Sequence, residues 1–256
     1  MFLSAMKKMM FFILLPLFIT LPLCIFSQNY VSGLGVFKLG ESVKKLDSFA
    51  LSNKVKFDTL TVSAALKTKN YKALNNIISF STDKALRIFK TTENTDESLD
   101  SDEELVILPF VEIYKINHYE VAGITVMNLK LYYSGDLLYK IIFDGSTELD
   151  DAMRLKYGKP EIKEITKDVK CVYKLTGNEV IEQEQTFYQT WPTEKPNNCL
   201  LITGVYFDDK CKKNYIDSWR ISNREIEKQN ESLAKTAKEN RDNERMKDKA
   251  KNLTDL

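Results

Sequence analysis

The chain has 256 residues, a formal net charge of +1, a hydrophobic fraction of 43% and a single histidine. So even a charge balance gives no general case for nucleic acid as a partner. One histidine excludes a multi-histidine metal site, and a Ser-His-Asp triad would have to be built on His118, which reads as an ordinary strand residue.

The first 27 residues read as an address. Lys7 and Lys8 precede an apolar run from Met9 to Phe26, which is interrupted by Pro16 and Pro22 and followed by Ser27-Gln28. That order is the order of a secretory signal peptide, so residues 28–256 are expected as the mature chain, secreted or periplasmic. About eighteen apolar residues can also just span a bilayer, and Cys24 raises lipidation as a further reading. The two prolines argue against an anchor, and the bulky Leu23 before Cys24 argues against lipidation. Membrane contact is expected only through this segment before cleavage.

In the mature chain, Val36 to Leu39 reads as a short strand between Gly35 and Gly40, and Ser42 is placed to cap the helix that follows. Val43, Leu46, Phe49 and Ala50 lie along one stripe of that helix. Val55–Leu60, Ile77–Phe80 and Ala85–Lys90 read as strands, with helix inside Ala64–Leu74. Glu93 to Glu104 is acidic at seven of twelve positions. Asp100, Asp102 and Glu104 could offer oxygen ligands to calcium, but no glycine supplies the sharp turn such a loop needs, and a solvated loop explains the charge equally.

Beyond it, Val106–Leu108 and Val111–His118 read as strands separated by Pro109. Ile124 to Tyr133 alternates, with Thr125, Met127, Leu129, Leu131 and Tyr133 on one face. Ser134-Gly135-Asp136 turns the chain into a strand at Leu137–Phe143, and Asp144-Gly145-Ser146 leads into a helix over Thr147–Tyr157. Thr147 is the expected N-cap, Gly158 the C-cap, and Pro160 prevents continuation. Val169–Leu175, Gln185–Trp191, Leu200–Phe207 and Tyr215–Ser222 then form a meander, which argues for an antiparallel sheet. The strand-glycine-helix order near residue 40 recurs at Phe143 to Tyr157 and leaves open two related halves divided near residue 160.

Cys171 and Cys199 both fall near expected strand beginnings and are the candidate disulfide, if their strands are neighbours; Cys211 lies in a turn. Residues 223–256 contain no glycine, proline or aromatic and interleave opposite charges, the composition of a solvated helix that adds little to stability. The fold class is α+β: antiparallel sheet with one or two helices packed on a face of residues 28–222, plus a long C-terminal helix.

Phe26-Ser27-Gln28, the Gly35–Gly40 segment (GVFKLG), and Leu129 to Phe143 followed by Leu149 to Pro160 (closing on Lys156-Tyr157-Gly158-Lys159-Pro160) resemble small secreted proteins of uncharacterised function from Bacteroidetes-type bacteria. More distantly, a glycine before a helix with a Tyr-Gly-x-Pro stop, beside an antiparallel sheet, resembles the fold shared by small outer-membrane assembly lipoproteins and β-lactamase inhibitor proteins. That resemblance implies a non-catalytic protein that acts by binding protein. It carries over no functional residue.

The chain has no paired-cysteine motif, glycine-rich phosphate loop or nucleophile elbow, so carboxylates are its only abundant chemistry. The expected function is an exported, non-catalytic binding or envelope-associated module whose partner is another protein or an envelope component. No catalytic residue, cofactor or metal ligand is assigned. Tyr132, Tyr188, Tyr206, Tyr215 and Trp219 lie on expected strands and are the candidate anchors, with core packing as the competing explanation. The alternative is an exported hydrolase using Asp144, Glu148, Asp150 and Asp151, although acidic residues in a helix's first turn already suit its dipole.

Overall fold

The computed structural model describes residues 30–59, 85–91, 111–172, 177–208 and 210–254. The expected leader, the acidic segment with its calcium reading, the expected helix at 64–74 and the expected strands at 77–80 and 106–108 lie outside the described residues.

In chain order the elements are β1 (Gly33–Leu34), β2 (Phe37–Lys38), α1 (Lys44–Ser52), β3 (Phe57–Thr59), β4 (Ile88–Thr91), β5 (Val111–Val121), β6 (Ile124–Ser134) and β7 (Leu137–Asp144). Then follow α2 (Thr147–Tyr157), β8 (Glu161–Val172), β9 (Glu179–Trp191), β10 (Asn197–Phe207), β11 (Lys213–Asn223) and α3 (Arg224–Thr254). β1 and β2 pair as a small hairpin, and the other nine strands form one sheet in the order β3-β4-β5-β6-β7-β11-β10-β9-β8. The sheet is antiparallel except at β3 and β4, which run parallel. A wholly antiparallel reading missed this pair because the intervening chain is long enough for a crossover.

The final strand, β11, inserts between β7 and β10 and so joins strands made before α2 to strands made after it. Both helices that flank the early strands lie on one face. Leu46 and Ala50 of α1, and Leu149 and Met153 of α2, are buried in the same cluster as Leu131, Ile141, Phe143, Leu201, Trp219 and Ile221. Each such side chain taken from water contributes about 1.5–3 kcal/mol. The hairpin of β1 and β2 closes the end of this core: Val36 N–H donates to the Tyr119 hydroxyl at 3.0 Å, and a Cβ on Gly35 would sit 2.1 Å from that oxygen. Gly35 also has φ +57°, so close approach and backbone conformation both demand glycine there.

Helix α2 spans the expected Thr147–Tyr157, but its N-cap is Ser146 in place of Thr147, the Ser146 Oγ accepting from Leu149 N at 3.2 Å. It ends as expected at Gly158, with φ +84°. Two tryptophans tie it to the sheet. Trp219 Nε1 donates to Asp150 Oδ1 and Trp191 Nε1 donates to the Gly158 carbonyl, both at 3.1 Å. The indoles pack 4.6 Å apart, and Phe143 stacks on Trp219 at 6.0 Å, so aromatic rings from β7, β11 and β9 run side by side under the helix. Arg154 Nη2 extends the attachment by donating to Gln189 Oε1 at 2.8 Å.

Several local expectations change. The N-cap of α1 is Val43, which makes no side-chain bond; Ser42, one residue earlier, bridges to Leu137, and its Oγ accepts from Lys44 N at 3.4 Å. The alternation of β6 changes phase at Asn128, which has φ +52°, so that Val126 and Leu129 share the core face. β8 begins at Glu161 rather than Val169. It is an edge strand whose first eight residues are exposed, so no buried stripe marks it.

The charged tail was expected to be solvated, yet its first turns are docked. Asn223 Oδ1 caps α3 by accepting from Glu225 N and Ile226 N. Ile226 packs on a second, smaller core of Val111, Ile113, Tyr132 and Tyr139 on the opposite face of the sheet. Glu227, 8% exposed, receives Arg220, Ser222 Oγ (3.0 Å) and Lys140 Nζ (3.4 Å), so the buried carboxylate is fully compensated.

Replacing Asp150 by Ala removes the acceptor of a buried indole N–H and is expected to cost about 1–3 kcal/mol, a fall of several degrees in Tm. Asp150→Asn keeps an acceptor and should retain most of the wild-type Tm. Equal losses in the two variants, measured by thermal unfolding, would contradict this role.

Candidate functional site

The five expected aromatic anchors do not form one surface. Trp219 is wholly buried, and Tyr132 is 1% exposed beneath Lys140, whose Nζ lies 4.3 Å from its ring centre. Both belong to packing, because the sheet is covered on that face at each position; as exposed anchors they are corrected. Tyr206 and Tyr215 are exposed at one end of the sheet but on opposite faces, since Tyr206 pairs with Asn214 and Tyr215 with Val205. Tyr188 is half-buried and lies in a groove.

That groove, about 390 Å³, runs over the outer three strands on the face opposite α1 and α2. Period-two geometry builds it. Glu161, Lys163 and Ile165 of β8 point the same way, and the register sets Glu161 across from Thr190 and Lys163 across from Tyr188. Asn198 and Leu200 of β10 complete the floor. Arg224, at the start of α3, closes one end and donates through Nη2 to Asn198 Oδ1 at 2.6 Å. The floor is a tyrosine ring with two aliphatic side chains, and the rim carries two cations and one carboxylate. Such a surface can hold an apolar or aromatic group beside an anionic one.

Of these residues, reading the sequence found only Tyr188. Lys163 and Ile165 fell in a stretch not assigned to a strand, and Arg224 was read as part of a solvated helix. The usable signal was the polar stretch Glu161 to Lys170, which is what a charge-protected edge strand looks like.

The four expected carboxylates divide. Glu148 and Asp151 are exposed on α2. Asp144 accepts from Asn128 Nδ2 and Asp150 from Trp219, and the register brings an unforeseen member, Asp217, beside them by pairing Ser218 with Asp144. Burial pushes the Asp150 carboxyl above its ordinary value, opposed by the Trp219 hydrogen bond and reinforced by Asp217. Partial burial, then the Asp144 charge, raises Asp217. The signal for Asp217 was its place two residues before Trp219 on the same face of β11.

The expected disulfide is excluded by topology. β9 lies between β8 and β10, with Cys171 opposite Val180 and Cys199 opposite Trp191. Eleven positions of β9 therefore separate them, roughly 36 Å along the strand, far outside disulfide reach. Cys171 stands near the end of its strand, whereas Cys199 stands near the start of its own.

No protein-family model, curated protein or solved structure matches this chain. Among the described residues, no helix is long and apolar enough to cross a membrane.

Asp217 supplies a pH test. Its folded-state pKa lies above the unfolded value, so its favourable state is the protonated one: stability is fullest below the ordinary carboxylate pKa and declines as pH rises through the folded pKa. Asp217→Asn is expected to raise Tm at pH 7, with the gain shrinking toward zero as the pH approaches 3. A gain independent of pH, or a loss at pH 7, would contradict the assignment.

Proposed function

We propose that this protein is an exported, secreted or periplasmic, non-catalytic binding module that holds a segment of another protein, or an envelope component, in the groove around Tyr188. The observation that carries this reading is the asymmetry of the sheet. The helical face is filled by α1, α2 and the tryptophans, and the opposite face is packed under the first turns of α3, while the same face of β8, β9 and β10 keeps a groove with an aromatic floor and a cationic rim. Lys163 and Arg224 favour a ligand that sets a carboxylate next to an apolar or aromatic side chain. The long C-terminal helix belongs to the proposal: its anchored first turns place Arg224 at the groove, and its charged remainder extends the surface available to a partner. A relationship to the small secreted proteins and to the assembly-lipoprotein and β-lactamase-inhibitor fold is proposed with it, supported by a helix stopped at Gly158 and followed by four antiparallel strands.

A carboxylate-dependent hydrolase is the second reading, favoured by the raised Asp150 and Asp217 beside Asp144. The indole of Trp219 already occupies Asp150, which gives that carboxylate a structural role.

Site-directed photo-cross-linking in exporting cells tests the proposal. A photoreactive residue at Tyr188 is expected to capture a discrete partner, lost on Lys163→Glu in the same chain, while one at Tyr215 captures none. Equal capture from Tyr215, or capture at Tyr188 unaffected by Lys163→Glu, would overturn the groove as the binding site.

A further inference from the structure

The far end of the groove-bearing face joins two cysteines that sequence spacing keeps apart. Cys171 is wholly buried, although Lys170 and Val172 on either side of it are exposed and most of β8 lies open to solvent. What reaches it is the turn between β10 and β11. Pairing of β10 with β9 stops at Val205 and Gln185, and beyond that point the Phe207 amide is taken by Glu184 Oε1 at 3.0 Å, so β10 parts from β9. The turn that follows is internally fixed. Asp208 Oδ1 accepts from Lys210 N (3.0 Å) and Lys212 N (2.9 Å), the Asp208 carbonyl accepts from Cys211 N at 2.9 Å, and the Asp208 amide donates to the Lys212 carbonyl at 3.1 Å. Cys211 takes the left-handed backbone, φ +61°. Cys171 faces Val180 of β9, five residues beyond the last β9–β10 pair of Gln185 with Val205; five residues beyond Val205 the chain is in this turn, which therefore stands level with Cys171 and sets the Cys211 thiol beside it. That contact, with burial and the nearby Glu182 and Asp208 carboxylates adding to it, pushes the Cys171 thiol up to about 11.

We propose that Cys171 and Cys211 are a disulfide-forming pair, which in the oxidised protein pins the last residues of β8 to the β10–β11 turn, while Cys199 remains a buried thiol. The oxidant is a small-molecule or protein disulfide. Cys211, the more accessible of the two, attacks one sulfur of that disulfide, forming a mixed disulfide and releasing the first thiol. Cys171 then attacks Cys211 Sγ, forming the protein disulfide and releasing the second thiol. The two protein protons pass to the two departing thiolates, so two protein thiols and one disulfide become one protein disulfide and two thiols. The second step is intramolecular, so proximity to Cys211 drives it although the Cys171 thiol is the weaker acid.

The pairing also accounts for the odd cysteine count outside the leader. Cys199 is enclosed by the core, where burial alone raises its thiol, and it has no role in exchange. Tying the outer hairpin at its free end would restrain the exposed edge strand whose near end forms the groove.

The test treats the purified full chain with oxidised glutathione, without denaturant, and then maps non-reduced tryptic peptides by mass spectrometry. The expected result is a Cys171–Cys211 cross-linked peptide, with Cys199 alkylated only after unfolding. Reduction should lower Tm by at least about 5 °C. Cys211→Ser should abolish both the cross-link and the redox dependence of Tm, and Cys199→Ser should preserve both. A Cys171–Cys199 link, a glutathione adduct that persists on Cys211, or free alkylation of both thiols in the folded, oxidised sample would overturn the proposal.

Discussion

The structure depends on the seam where β11 inserts between β7 and β10. On the β7 side strand pairing supplies only five residue pairs, from Ser218 opposite Asp144 to Ser222 opposite Lys140. The seam is reinforced by side chains: Phe143 on β7, Trp219 on β11 and Trp191 on β9 lie in contact beneath α2, and the two indole N–H groups are satisfied by Asp150 and the Gly158 carbonyl. An aromatic pair contributes about 0.5–1.5 kcal/mol beyond its buried area, and an indole N–H left without an acceptor costs more than that. Helix α2 is thus both a cover and a clamp. It lies in sequence between the early and late strands and binds both sides of the seam in space.

This explains why the opposite face can be only partly filled. At the seam and over β5 and β6, the compensated carboxylate of Glu227 and the Tyr132–Tyr139 cluster hold the beginning of α3. Over β8, β9 and β10 the same face keeps the groove, closed at one end by Arg224, the first residue of α3. The outer strand protects itself with charge: Glu161, Lys163, Glu164, Lys167, Asp168 and Lys170 line an edge that would otherwise invite pairing with another chain. Recognition through the sheet face around Tyr188 fits this arrangement better than strand addition at the edge. Within the acidic group, Asp150 is already engaged in the attachment of α2 and Asp144 in a bond to Asn128.

The elements that could be read from the sequence were those with a buried stripe and a local stop. Strand β7, helix α2 and Gly158 are of this kind, because the apolar period and the positive φ after the helix leave direct marks in the residues. The anchors were harder. Strand alternation can name the residues that share a face but does not say whether a helix covers that face, so Trp219 and Tyr188 looked alike, although one is core and the other lines a groove. Edge strand β8 left no stripe to read. Cysteine pairing failed for a related reason: the starting point of β8 was misplaced by eight residues, which moved Cys171 to the wrong end of the sheet. The insertion of β11 next to β7 is a long-range choice that no local pattern encodes.

Native-state hydrogen exchange on the full chain tests the central claim, that the tryptophan-clamped seam makes one cooperative sheet. The account predicts that the slowest amides of β7, β9, β10 and β11 open together, with one free energy and one denaturant dependence. If β8 to β11 opened as a separate unit, at a free energy well below that of β5 to β7, the seam would not be what holds the sheet together.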